Sequence, residues 1–132
     1  MTQTAIGPFD VKVTSQGDNF GDPLLNRMLL DKQYHGDLQA IGMGQMLTAG
    51  TAVKGSGAYV AIEKVSGALK GREGTFILQH TGTMNQNKPD LMIVVVPDSG
   101  TAELAGIVGK MKINLAPDGK HSYELEYTLP SN

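Results

Sequence analysis

The stretch His121–Leu129 alternates residue by residue. His121, Tyr123, Leu125, Tyr127 and Leu129 fall on one side, and Ser122, Glu124, Glu126 and Thr128 on the other. A period of two is the mark of a half-buried strand, with the first set meeting a core and the second meeting water. Weaker alternation marks strands over 4–14, 26–35, 38–48, 58–65, 74–84 and 107–115. One face of 26–35 holds Met28, Leu30, Lys32 and Tyr34, and one face of 58–65 holds Tyr59, Ala61, Glu63 and Val65. Period-two counting likewise puts Phe76, Leu78, His80, Gly82 and Met84 together. Leu91–Val96 is wholly apolar and is expected to be buried on both faces. No segment keeps a 3.6-residue period over ten or more residues. Turn-forming clusters separate the strands: Gln16–Pro23, Gly50-Thr51, Gly55-Ser56-Gly57, Asn85–Pro89 and Ala116–Gly119, while Gly36-Asp37 reads as a turn or as a bulge within one long bent strand. Gln16–Pro23 reads as a solvated connection, with a lid as the alternative. Gly7-Pro8 predicts an edge or bulge in the first strand, and Gly42 and Gly44 predict bulges or close approaches. About eight strands at hairpin spacing close best as a barrel, which leaves no sheet edge. The expectation is an all-β, eight-stranded antiparallel barrel, one domain over residues 1–132.

The absence of cysteine removes disulfides, thiolate nucleophiles and Cys-ligated metal sites. The net charge is −2 and the 11 basic residues are scattered, so nucleic acid is not an expected partner. The longest apolar run, Leu91–Pro97, is too short to span a bilayer, and no membrane partner is expected. Met1-Thr2-Gln3-Thr4 has neither a basic nor an apolar leader region, which predicts a soluble, cytoplasmic domain without a signal peptide.

One element occurs twice, as Leu-x-Gly-x-x-Gly-x-Φ-x-Φ with Φ apolar, at Leu69–Leu78 and Leu104–Ile113. Ser66-Gly67 and Ser99-Gly100 precede the two copies. Two geometries fit. Gly71–Gly74 and Gly106–Gly109 form four-residue β-turns, or Ser66 and Thr101 cap single helical turns near 67–71 and 101–105 that end at Gly71 and Gly106. The second is preferred because the Ser-Gly pairs would be idle in a plain hairpin. Leu69 and Leu104 then plug one end of the barrel. A phosphate-cradling loop is excluded by context, since neither copy carries Gly-Lys-Ser/Thr or opens a long helix.

The pattern Ser-Gly-x-Leu-x-Gly-x-x-Gly, set between two strands, resembles the linker of the allene oxide cyclase and dirigent barrels. Lys54-Gly55-Ser56 with Tyr59–Glu63, Phe76–Met84, Pro97–Thr101 and His121-Ser122-Tyr123 are similar, more closely, to a bacterial family of uncharacterised small proteins with the same barrel. The likeness runs over roughly residues 4–129. It implies an allene oxide cyclase-like, calycin-like barrel that self-associates as a dimer or trimer. It implies no activity, and the plant enzyme's catalytic residues do not carry over.

If the alternating faces point inward, His80, Glu63 and the tyrosines converge. His80 and Glu63 are the candidate acid–base pair, with a tyrosine to hold an oxyanion. Tyr59, Phe76, Leu78, Tyr123, Tyr127 and His35 are the candidate ligand-lining residues. The plainer alternative is a local ion pair at Glu63 and a satisfied, buried His80. His35, His80 and His121 lack any metal-ligand spacing, so neither metal nor cofactor is expected. Asp98-Ser99-Gly100-Thr101 after an apolar strand resembles an aspartic peptidase loop, but its Ser-Gly is already explained by the repeat. The leading functional expectation is a barrel that binds a small, largely apolar molecule. The alternatives are a cyclase or isomerase, and a packed barrel that only self-associates.

Overall fold

The computed structural model describes residues 1–17 and 20–130. Its strands are β1 (Gln3–Ser15), β2 (Leu25–Tyr34), β3 (Leu38–Gly50), β4 (Gly57–Leu69), β5 (Arg72–Asn85), β6 (Lys88–Val95), β7 (Val108–Leu115) and β8 (His121–Thr128). Each runs antiparallel to the next, and β8 returns to β1, from Gln3 against Tyr127 to Phe9 against His121. The chain is therefore a closed, eight-stranded, up-and-down β-barrel. The only helix among the described residues is the 3₁₀ turn Ala102–Leu104. No described helix is long and apolar enough to cross a membrane.

Closure turns the alternation into an inside and an outside. Phe9, Tyr34, Leu38, Val65, Phe76, Leu78, Ile93, Met111, Tyr123 and Leu125 point inward and are buried. Burial of both faces of Leu91–Val96 does not hold: Met92 is exposed and Val94 only half-buried. A barrel wall has one inner face, and β6 has nothing packed on its outer one. Pro8 is neither edge nor bulge but sits inside β1. Its carbonyl accepts from the His35 N–H at 3.0 Å, on the side where β2 has already ended. The missing Pro N–H thus costs no ladder bond.

The two copies of the repeated element fold differently. In the first there is no helical turn at 67–71. β4 runs on to Leu69, which pairs with Arg72 around Lys70 and Gly71. Both turn residues have positive φ, 48° and 84°, which makes a two-residue type I′ hairpin. Ser66 stays within β4. In the second copy the helical turn forms, but the Thr101 side chain does not cap it. Thr101 Oγ1 instead accepts from the Thr75 N–H at 3.0 Å, and Ser99 Oγ accepts from the Ile77 N–H at 3.0 Å. These bonds seat the 96–107 crossing on β5 and give Ser99 and Thr101 a structural part there. Gly106 has φ +81° after Ala105 at φ −56°, ψ 133°, and Ile107 N–H closes on Leu104 O at 3.1 Å, a type II β-turn.

Leu38, Leu69, Leu104, Ile107 and Tyr127 are all buried at the end of the barrel where β8 finishes. The other end is looser. There the inward positions Met28, Met46, Tyr59 and Ile113 are only half-buried, and Met84 and Leu91 are exposed. β6 and β7 pair only at Ile93–Met111 and Val94–Lys110. Toward the open end, Lys88–Met92 and Lys112–Leu115 separate. Gln16–Pro23 connects β1 to β2 at this end, but Asp18 and Asn19 lie outside the described residues, so the choice between lid and solvated connection does too.

Candidate functional site

Between the closed and open halves lies a charged cluster inside the barrel. Glu63 on β4 faces inward opposite Leu78. Its side chain does not stay over β4. It lies across β3 at Gly42, where a Cβ would collide with Glu63 Oε2. Only glycine leaves that passage open, which is the close approach expected of Gly42. Across it, Glu63 reaches β2. Oε1 accepts from Lys32 Nζ at 3.1 Å and from His80 Nε2 at 2.9 Å, and Oε2 accepts from the Tyr34 hydroxyl. Glu63 is 0% exposed, His80 and Tyr34 2%, and Lys32 4%. The Lys32 ammonium also lies 5.2 Å from the Phe9 ring centre and 5.8 Å from that of Tyr34.

Burial by itself would raise the Glu63 carboxyl. The His80 hydrogen bond, the Lys32 charge and the Tyr34 hydrogen bond outweigh it and hold Glu63 below the ordinary carboxylate value. Burial, then the Glu63 charge and the hydrogen bond to it, push the Tyr34 hydroxyl far up, so Tyr34 stays a donor. An ionised Glu63 can only accept, so His80 presents Nε2–H to it. Among the described residues no buried side-chain nitrogen or oxygen lacks a partner. Nδ1 makes no hydrogen bond within the protein, and so it is not sealed. Tyr59 stands next to it, with ring centres 6.3 Å apart. Burial and then the Glu63 charge raise the Tyr59 hydroxyl, which stays protonated.

Of the residues singled out in the sequence, Glu63, His80 and Tyr59 come together. Phe76 and Leu78 fill the interior on the closed side of the cluster. Tyr123 ties the closed end: its hydroxyl donates to His35 O at 2.7 Å and accepts from the Leu38 N–H at 2.8 Å. The Tyr127 hydroxyl donates to Gln3 Oε1 at 3.2 Å near the same end. The His35 side chain is outside the barrel, more than half exposed and 3.3 Å from Asp10 Oδ2. Lys32 and Tyr34 join the cluster although the sequence gives them no more than a shared face. The available signal was a lysine in an otherwise inward-facing set, Met28-Leu30-Lys32-Tyr34, which needs a buried counter-charge. No three described His, Asp or Glu side chains gather as a metal site. His121 lies apart, its ring 5.2 Å from that of Phe9.

The fold and this interior define a class: small meander barrels with one end packed shut and a buried ion cluster at mid-height. A family model described as a protein of unknown function, DUF3224, matches residues 5–127, and the chain belongs to that family. It is similar to a protein of unknown function of the DUF3224 family from Shewanella oneidensis MR-1, whose crystal structure superposes with a TM-score of 0.93. The two are 44% identical over 100% of each chain. No curated protein matches the chain.

Proposed function

We propose that this barrel binds a small, largely apolar molecule with one polar end, seated in its open half. The observation that carries the reading is the split interior. Inward-facing Met28, Met46, Tyr59, Met84, Leu91 and Ile113 are incompletely covered by the chain, while the charged cluster at their base is buried. Adaptable methionines suit an apolar body, and the unpaired His80 Nδ1 and the Tyr59 hydroxyl offer two hydrogen-bonding groups for a polar end. The parted β6–β7 seam widens the same mouth. Stability alone is a weak reason to keep the cluster, since apolar residues of similar volume often replace a buried ion pair at no loss. Tyr123, Tyr127, Phe76 and Leu78 then shape the floor from behind, and His35 acts, if at all, from outside.

A second reading is favoured by one feature. Glu63 orients His80 as a carboxylate orients a histidine base, with the free nitrogen toward unsealed space. On that reading the bound molecule is also a substrate of a proton transfer, such as an isomerisation or cyclisation, with Tyr59 polarising its oxygen. The likeness to allene oxide cyclase supports the shape of the cup only, and a cytoplasmic location is compatible with the cysteine-free sequence.

The test is native mass spectrometry of the purified protein, followed by titration with the apolar fluorophore 1-anilinonaphthalene-8-sulfonate. Saturable one-site binding that Met28→Trp abolishes and Tyr59→Phe weakens is the expected result. No co-purifying molecule together with no saturable binding overturns the proposal. With any ligand so identified, turnover that survives His80→Ala removes the second reading.

A further inference from the structure

Strand register lays one row of inward side chains across the base of the open half. Met28 on β2 stands opposite Met46 on β3, Met46 opposite Ala61 on β4, and Ala61 opposite His80 on β5. The row lies one same-face step nearer the mouth than Leu30–Gly44–Glu63–Leu78. Neighbouring strands are about 4.8 Å apart, and closure of the wall turns all four side chains toward the same interior space. Ala61 fills little of that space. The two methionines are incompletely covered by the chain, and each has an unbranched, adaptable side chain ending in a polarisable thioether. His80 Nδ1 makes no hydrogen bond within the protein.

We infer that Met28, Met46 and His80 hold one soft monovalent metal ion, Cu(I) or its redox-silent counterpart Ag(I). Two thioethers and an imidazole are a donor set that selects such an ion. The imidazole is already oriented for it. Nε2–H donates to Glu63 Oε1 at 2.9 Å, which leaves Nδ1 as the ligating nitrogen. A carboxylate behind a histidine in this way fixes the ring and raises its basicity toward a metal. Glu63 is therefore a positioning residue. Its own oxygens are taken, Oε1 by Lys32 and His80 and Oε2 by Tyr34. A hard divalent ion, which needs oxygen ligands, finds none free at this row. The chain has no cysteine, so no thiolate competes for the ion. Of the other methionines, Met43 and Met92 point outward and are exposed, and Met111 is buried. The inference does not rest on the binding of an apolar molecule, since the ion needs only side chains of this row.

The test is anaerobic titration of the unmodified protein with Cu(I) against bathocuproine disulfonate, whose absorbance reads the copper the protein gives up. One equivalent per chain is expected to be withheld. Met28→Leu and Met46→Leu keep volume and apolar character, so the barrel and any apolar lining survive them. Glu63→Gln should weaken retention about 10–100-fold, and either methionine variant by no less, with circular dichroism showing an intact barrel. In methyl NMR with Ag(I), the ε-methyl signals of Met28 and Met46 should shift while those of Met43 and Met92 stay in place. Complete release of copper to the chelator overturns the inference. So does retention indifferent to the paired Met28→Leu and Met46→Leu, or equal displacement by Zn(II).

Discussion

At the scale of single residues, Gly42 and Lys32 explain the interior. Glu63 leaves its own strand because Gly42 gives it passage, and it crosses to β2 because Lys32 is there. Desolvating a charge is costly unless it is paired, so each of the two is intelligible only with the other. Removing Glu63 should therefore leave an uncompensated ammonium. Glu63→Leu is expected to cost about 3–5 kcal/mol in urea unfolding, and Lys32→Met added to it should recover most of that loss. Failure of the double variant to recover stability would mean that the hydrogen bonds of Tyr34 and His80, and not the ion pair, set the cost. Glu63 and His80 were legible as a pair from period-two counting on neighbouring strands. Lys32 is visible on its face, but nothing local shows that β2 and β4 face each other across a glycine.

At the scale of elements, the repeated Leu-x-Gly-x-x-Gly shows how far local sequence reaches. Both copies bury their leucine at the closed end. Yet Lys70-Gly71 makes a hairpin, while Ala102–Gly106 makes a 3₁₀ turn and a type II turn within a longer crossing. The strands on either side of each copy set the difference. β4 and β5 are neighbours in full register, whereas β6 ends at Val95 and the chain must cross the barrel end before β7 begins. Lys70 at φ 48° occupies a place that suits asparagine better. Lys70→Asn should raise the urea midpoint slightly, and Gly71→Ala should lower stability by about 1–2 kcal/mol because alanine resists the left-handed region. Were the element a helical turn capped by Ser66 at this copy, Ser66→Ala would cost about 0.5–2 kcal/mol; with Ser66 inside β4, no loss of a cap is expected.

At the scale of the whole molecule, the barrel holds one deeply buried carboxylate whose ionised form the fold stabilises. Glu63 has a folded value below its unfolded one. Its contribution is therefore present above the unfolded carboxylate value of about 4.3 and lost as pH falls through the lower folded value. The unmodified protein should hold a constant thermal midpoint near neutrality and lose stability below about pH 4. Glu63→Gln, less stable at neutral pH, should show a flatter acid limb. An acid limb identical in both proteins would place the acid sensitivity in the exposed carboxylates.

Alternation in His121–Leu129 and its weaker echoes, with turn residues between them, determined by itself the approximate strand count, the antiparallel order and which side chains share a face. These depend only on the two-residue period of an extended chain and on the dihedral demands of tight turns. Tertiary structure alone decided the rest. Closure made one face of β6 a solvent wall despite its apolar sequence, because a barrel has a single interior. It brought β2 against β4 across Gly42, which built the Lys32–Glu63–His80–Tyr34 cluster from residues far apart in the chain. It also packed one end with Leu69 and Leu104 and left the other loose, since β6 and β7 part company beyond Ile93 and Met111. Contacts of that kind depend on where the sheet meets itself, and no stretch of sequence holds that information locally.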